Sequence, residues 1–222
     1  MKAKILIIDH NDSFTFNLAG LFESFMACAD ETLVQEVTVW PVNELSSKSF
    51  EGISEFDAVV LSPGPGLPND YPAVYELLHY CLARTIKIPV LGICLGMQTI
   101  ITYFGGRLYN LSKVQHGRQV NLTIESKEKA TALFRFMTMP VKVGLYHSWA
   151  MDLRTNVSEL DILASAEFAS SEGQEPGCPP VVMALAHHYL PVYGLQFHPE
   201  SFMTPEGGII IRNWLKTITA LS

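Results

Sequence analysis

The sequence predicts an α/β fold: an open, mostly parallel sheet flanked by helices on both faces, with extra antiparallel strands in the second half. Three observations carry this. Short apolar runs recur through residues 5–8, 57–61 and 89–93, as in strands buried on both faces. Segments with helical periodicity separate them. After residue 120 the helices give way to closely spaced segments of strand composition.

Taken in order, Ile5-Leu6-Ile7-Ile8 is the first strand. Asp12 or Ser13 is placed to cap the next helix, whose Phe16, Leu18, Leu21, Phe22 and Phe25 make a broad apolar face. Residues 34–40 read as a second strand and 57–61 as a third. Ser62-Pro63-Gly64-Pro65-Gly66-Leu67-Pro68 is compatible only with a loop. Residues 71–84 are helical, with Val74, Leu77, Leu78 and Cys81 on one face. Residues 89–93 form a fourth strand ending at Cys94, and 95–104 a helix closed by Gly105-Gly106. Residues 120–125, 141–146, 162–168, 181–186 and 192–197 have strand composition. A Gly/Pro-rich connection spans 173–180, and the last helix runs over 206–219. The βαβ rhythm implies right-handed crossovers. Sites in such sheets lie beyond the carboxyl ends of the strands, where loops 62–68 and 92–98 fall. No repeat, low-complexity segment or linker divides the chain, so one domain over 1–222 is expected.

Composition narrows the function classes. The 222 residues are 48% hydrophobic and 17% charged, enough to bury a sizeable core and unlike a disordered chain. A net charge of -7, without blocks of like charge, argues against nucleic acid or an anionic membrane as a partner. Cysteines stand at 28, 81, 94 and 178 with no CxxC spacing, so zinc and thioredoxin-like readings lack support; no metal or cofactor is expected in this chain. The first apolar run is short and ends at Asp9, as for a strand rather than a leader. No stretch approaches the roughly 18 apolar residues of a membrane-spanning helix. A cytoplasmic protein with reduced thiols is expected.

Gly92-Ile93-Cys94-Leu95-Gly96-Met97-Gln98 carries the chemistry. A Gly-x-Cys-x-Gly turn between a strand and a helix is the cysteine form of a nucleophile elbow. The turn pushes the thiol out of the sheet. The helix start behind it offers N–H groups and a positive dipole end, which favour thiolate and can hold an oxyanion. Gln98, one helical turn on, shares a face with Cys94. An isolated cysteine is more often an inert packing residue; Cys28 and Cys81 read as helix packing residues and Cys178 as a loop residue. Near the other end, Gln196-Phe197-His198-Pro199-Glu200-Ser201 follows a strand. Pro199 fixes φ and holds the tripeptide extended, so His198 and Glu200 point the same way and converge on one site. The carboxylate then orients the imidazole in a Cys–His–acid triad of Cys94, His198 and Glu200. His10, His79, His187 and His188 have no such setting, whereas His116 and His147 sit in segments able to reach the site.

These blocks resemble the class I (triad) glutamine amidotransferases, whose fold is flavodoxin-like. The likeness rests on Ser62-Pro63-Gly64-Pro65-Gly66, the Cys94 turn and Gln196–Ser201 in that order and spacing, and it covers nearly the whole chain. Asp12-Ser13-Phe14-Thr15-Phe16-Asn17 and Tyr146-His147-Ser148-Trp149 are similar to the small subunits serving anthranilate synthase and aminodeoxychorismate synthase. The resemblance implies a γ-glutamyl thioester on Cys94, with ammonia passed to a chorismate-binding synthase subunit. It implies an oxyanion hole from the backbone at Gly66 and Leu95. It implies that Gly64, Pro65, Gly66, Gln98, Ser148 and Trp149 hold L-glutamine. The sequence departs from the family's usual pattern at Leu145 and Ala186, where arginine is common, and at His116-Gly117-Arg118-Gln119. A stand-alone γ-glutamyl or cysteine hydrolase and a non-catalytic binding relative are the competing readings. The intact triad counts against the second. The Tyr-His-Ser segment, and the lack of a large insertion for a bulky substrate, count against the first.

Overall fold

In the computed structural model, which describes residues 2–27, 32–45, 50–85, 87–168 and 180–219, the chain opens with β1 (Ala3–Asp9) and α1 (Thr15–Glu23). There follow β2 (Val34–Pro41), a one-turn α2 (Phe50–Ile53), β3 (Ala58–Leu61), α3 (Pro72–Ala83), β4 (Val90–Ile93) and α4 (Leu95–Tyr103). The second half contains β5 (Leu108–Asn121), β6 (Thr123–Ile124), α5 (Glu128–Leu133), β7 (Lys142–Met151), β8 (Leu160–Ala166), β9 (Val181–His187), β10 (Val192–Leu195) and α6 (Gly207–Thr219).

Among the described residues, eight strands form one sheet in the order β2-β1-β3-β4-β10-β9-β8-β6. The first five are parallel, and their 2-1-3-4-5 pattern is that of flavodoxin-like doubly wound folds. β9, β8 and β6 continue the sheet antiparallel. β5 and β7 pair separately as an antiparallel ribbon. Alternation along β1 sends Ile5 and Ile7 into a core with Leu18, Phe22, Trp214 and Leu215, and Leu6 and Ile8 into a core with Leu77, Leu78, Met97 and Ile100. Both faces are thus covered, α1 and α6 on one and α3 and α4 on the other. That burial is why β1, β3 and β4 read as short apolar runs, whereas the edge strand β2, with Gln35 and Glu36 exposed, does not.

Several expectations need correction. Helix α1 begins at Thr15, and neither Asp12 nor Ser13 caps it; Phe14 is its N-cap residue, with no side-chain cap. Asp12 instead accepts the Phe14 N–H at 2.8 Å, closing the turn before the helix. Phe16 is 71% exposed, because it falls on the outer side while Leu18 and Phe22 point in. The 120–125 segment is not one strand: Val120 and Asn121 end β5, and Thr123–Ile124 join the main sheet. β5 begins at Leu108, and its mostly exposed positions carry no apolar pattern. β10 stops at Leu195, short of Phe197. α2 and α5 are additional short helices. Cys81 is buried under α3 as expected; Cys28, Cys178 and residues 173–179 lie outside the described residues. No helix among the described residues is long and apolar enough to cross a membrane.

Candidate active site

Cys94 sits between β4 and α4 as the N-cap of α4, at φ 52° and ψ -101°. An L-residue takes this backbone only when the surroundings impose it. Here two glycines allow the imposition. A Cβ on Gly92 would stand 2.4 Å from the Gly96 backbone, and one on Gly96 would stand 2.4 Å from the Leu61 carbonyl oxygen. Strand, turn and helix therefore pack backbone to backbone. The Cys94 N–H donates to Leu195 O at 2.7 Å, tying the elbow to the end of β10. At the first position of α4 the Leu95 N–H has no intrahelical acceptor, so it remains available to an anion.

The segment after β10 brings the base to the thiol. His198 Nδ1 donates to Glu200 Oε1 at 2.7 Å, and both side chains are sealed from solvent, at 3% and 0% exposure. The sequence-based route to this pair was wrong in one respect. Residues 199–200 turn rather than extend, and the Ser201 N–H closes the turn on His198 O at 3.2 Å. Thr204 Oγ1 also donates to that carbonyl at 2.6 Å. The imidazole is boxed by Phe14 and Tyr146, with ring centroids at 5.2 and 5.0 Å.

Burial pulls the His198 pKa down, but hydrogen bonding to the Cys94 sulfur and to Glu200, and the negative charge of both, outweigh it and raise it to about 10. Nε2 of His198 is buried without a partner of ordinary hydrogen-bond geometry. The arrangement favours the imidazolium form of His198. The Cys81 thiol is buried in the core, away from these groups, and burial pushes it up to about 12, leaving it inert.

The loop after β3 lies against this turn. A Cβ on Gly64 would meet His10 Cβ at 2.4 Å and Leu95 Cδ2 at 2.7 Å, so the loop backbone rests directly on both residues. Gly66 has φ +77°. Tyr71 Oη donates to Pro65 O at 2.9 Å, and Asp70 Oδ2 accepts the Leu67 N–H at 2.7 Å. His10, read from sequence as ordinary, is buried beneath this loop. Its N–H donates to Ser62 Oγ at 3.0 Å, while the Ser62 hydroxyl proton goes to Pro63 O at 2.6 Å. The His10 Nδ1 contact to Ser62 Oγ, at 3.2 Å, must therefore also be a donation. Burial lowers His10 to about 4, which keeps it neutral.

On the opposite wall β7 supplies Tyr146–Trp149. Ser148 and Trp149 are partly exposed. The Trp149 carbonyl accepts Gln98 Nε2 at 3.2 Å and His147 Nδ1 at 2.9 Å. His147 is lowered to about 4 by burial and by the positive charge of His198. His116 reaches the rim, its ring 5.1 Å from that of Tyr146. The sequence reading missed Gln196 as a site residue. It is fully buried, its Nε2 is 3.5 Å from Cys94 Sγ, and its place two residues before His198 was the available signal. Leu145 and Ala186, where the sequence departs from the family pattern, are fully buried and cannot present a docking surface. Gln119 is exposed and donates to Met203 O at 2.8 Å. Among the described residues no group of three or more His, Cys, Asp or Glu side chains gathers to hold a metal ion.

The family model for class-I glutamine amidotransferases matches residues 6–218. A Haemophilus influenzae protein, provisionally described as anthranilate synthase component II, is 38% identical over 96% of this chain and 95% of its own length. The Bacillus subtilis aminodeoxychorismate/anthranilate synthase component 2 is 31% identical over 96% of each chain. The crystal structure of a Thermoplasma acidophilum protein, provisionally described as a GMP synthase subunit, superposes with a TM-score of 0.75 over 99% of this chain and 96% of that one; at 20% identity it shows the fold. On the family match and these relatives, the chain belongs to the class-I glutamine amidotransferases.

Proposed function

We propose that this protein hydrolyses L-glutamine to glutamate and ammonia and passes the ammonia to a chorismate-binding synthase subunit. The observation that supports this most directly is the Nδ1–Oε1 contact of 2.7 Å between His198 and Glu200, beside a cysteine held at positive φ at the start of a helix. Cys94, as thiolate, attacks the side-chain amide carbon of glutamine. The carbonyl oxygen takes up the negative charge in front of the Leu95 and Gly66 backbone, with Gly64, Pro65, Gly66, Gln98, Ser148 and Trp149 around the substrate. The His198 imidazolium gives its proton to the leaving nitrogen, and ammonia departs from a γ-glutamyl thioester. Neutral His198 then takes a proton from water as the water attacks the thioester. Collapse releases glutamate and restores thiolate and imidazolium.

The relatives carry the names of both anthranilate and aminodeoxychorismate synthase components, and these names support a chorismate-using partner. The reaction needs no cofactor in this chain, and the pairing takes place in the cytoplasm. Replacing Cys94 by alanine in the complex is expected to abolish glutamine-dependent product formation and to leave ammonia-dependent formation intact. Retained glutamine-dependent synthesis by Cys94→Ala would remove Cys94 as the nucleophile. Combining the protein with each candidate synthase partner, then identifying the product, decides between anthranilate and aminodeoxychorismate.

A further inference from the structure

The side-chain amides behind Cys94 form a chain whose polarity is fixed at one end. The Trp149 carbonyl can only accept, so the –NH2 end of Gln98 must face it, at 3.2 Å. The same nitrogen lies 3.3 Å from Gln196 Oε1 and donates to it. With its oxygen held there, Gln196 turns its own –NH2 toward Cys94 Sγ at 3.5 Å. An amide nitrogen has only protons to offer, so the sulfur is the acceptor in this contact. Reversing Gln196 would set two donors against each other. Reversing Gln98 would set its oxygen against the Trp149 carbonyl. His147 Nδ1–H donates to that same carbonyl at 2.9 Å, which fixes its role as an acceptor still more firmly. Gln196 is fully buried and Gln98 is 4% exposed, so water does not compete for these bonds.

We propose that Gln196 is a catalytic residue of this site: its amide donates a hydrogen bond to the Cys94 sulfur and stabilises the thiolate, while Gln98 and the Trp149 carbonyl are the positioning device that keeps the donating end forward. The proposal rests on the reading of Cys94 as nucleophile. It also changes the part assigned to Gln98. Its nitrogen is committed to Trp149 and Gln196, so only Oε1 is left to meet a donor on glutamine. Hydrogen bonds to an ionised acceptor are stronger than those to a neutral one. The Gln196 bond therefore strengthens as the thiol loses its proton, and again when the thioester breaks and the thiolate departs.

The test reads the sulfur directly. The rate at which iodoacetamide alkylates Cys94, followed across pH by mass spectrometry of the Cys94 peptide, needs no glutamine turnover. Gln196→Met keeps the shape and removes the donor. The alkylation midpoint is expected to rise by about one pH unit, giving about tenfold slower alkylation below both midpoints. Gln196→Glu sets an acceptor against the sulfur, and a larger rise is expected. Gln98→Met releases the oxygen of Gln196 and should give an intermediate rise, so it carries the test if the Gln196 variants do not fold. In each case kcat/KM for glutamine hydrolysis should fall with the midpoint shift. An unchanged midpoint in the folded variants overturns the role of Gln196, even if Cys94→Ala behaves as a nucleophile variant should. Failure of the Cys94→Ala result would overturn the nucleophile instead.

Discussion

His198 shows how one buried histidine is kept charged while its neighbours are kept neutral. Burial lowers His10 and His147 to about 4, and only His198, facing the Cys94 sulfur and Glu200, is carried the other way to about 10. Glu200→Gln keeps the shape of the acceptor and removes its charge. The glutaminase kcat is expected to fall by on the order of 10²-fold. The basic limb of the pH profile should move to lower pH, because the imidazolium loses a counter-charge. A limb that stays in place while kcat falls would argue against an electrostatic role for Glu200. The same shifts set the pH dependence of stability. His198 binds its proton more tightly folded than unfolded, so its contribution is complete below about 6.5 and is lost as the pH rises toward 10. His10 and His147 have the opposite sign. The unfolded chain takes up their protons first, so stability is full above about 6.5 and falls as the pH drops toward 4. Urea unfolding between those values is expected to show a slope smaller by about one proton in His10→Asn or His147→Asn than in the parent. Equal slopes would place these histidines in water rather than in the core.

At the scale of elements, the strand–turn–helix unit from β4 to α4 is held by the absence of side chains. Gly92→Ala would drive a methyl into the Gly96 backbone at 2.4 Å, and neither partner is a flexible side-chain end that could swing away. Overpacking of this kind is expected to cost about 2 kcal/mol or more, read as a lower denaturation midpoint, together with loss of Cys94 reactivity. A stable, fully reactive Gly92→Ala protein would show that the elbow can relax. The same constraint explains why this unit was legible in the sequence: a backbone that tolerates no Cβ at two positions must write two glycines around its cysteine. The inner parallel strands were legible because burial on both faces demands continuous apolar residues. The β5–β7 ribbon was only half legible, because β5 lies largely in solvent and hydrophobicity places no demand on most of its positions. Phe16 misled for the converse reason, being an apolar residue on an exposed face. The turn at Pro199–Glu200, the buried place of His10 and the polarity of Gln98–Gln196 depend on contacts between residues far apart in the chain. Local pattern does not encode them.

At the scale of the whole molecule, the groups proposed to act on glutamine come from separate strand ends and yet are closed off together. Cys94 is 7% exposed, His198 is 2%, and the Glu200 side chain is buried completely. Pro65 and Gly66 on the 62–66 loop and Ser148 and Trp149 on β7 keep some exposure, so these two segments set how freely glutamine reaches the sulfur. They are a point at which a partner can exert control, since a surface that favours the productive loop position raises turnover without touching the substrate. The chemistry gives a reason for such control. Ammonia released into neutral water is protonated and lost as a nucleophile, so hydrolysis is useful only when the acceptor is already engaged. Glutamate release by the isolated protein is therefore expected to be slow, and to rise by about tenfold or more when the chorismate-binding subunit is added. The rise should lie mainly in kcat if closure completes the oxyanion hole, and mainly in KM if it only admits glutamine. Equal glutamate release with and without the correct subunit would show that the isolated site is already competent and that hydrolysis is not coupled to synthesis.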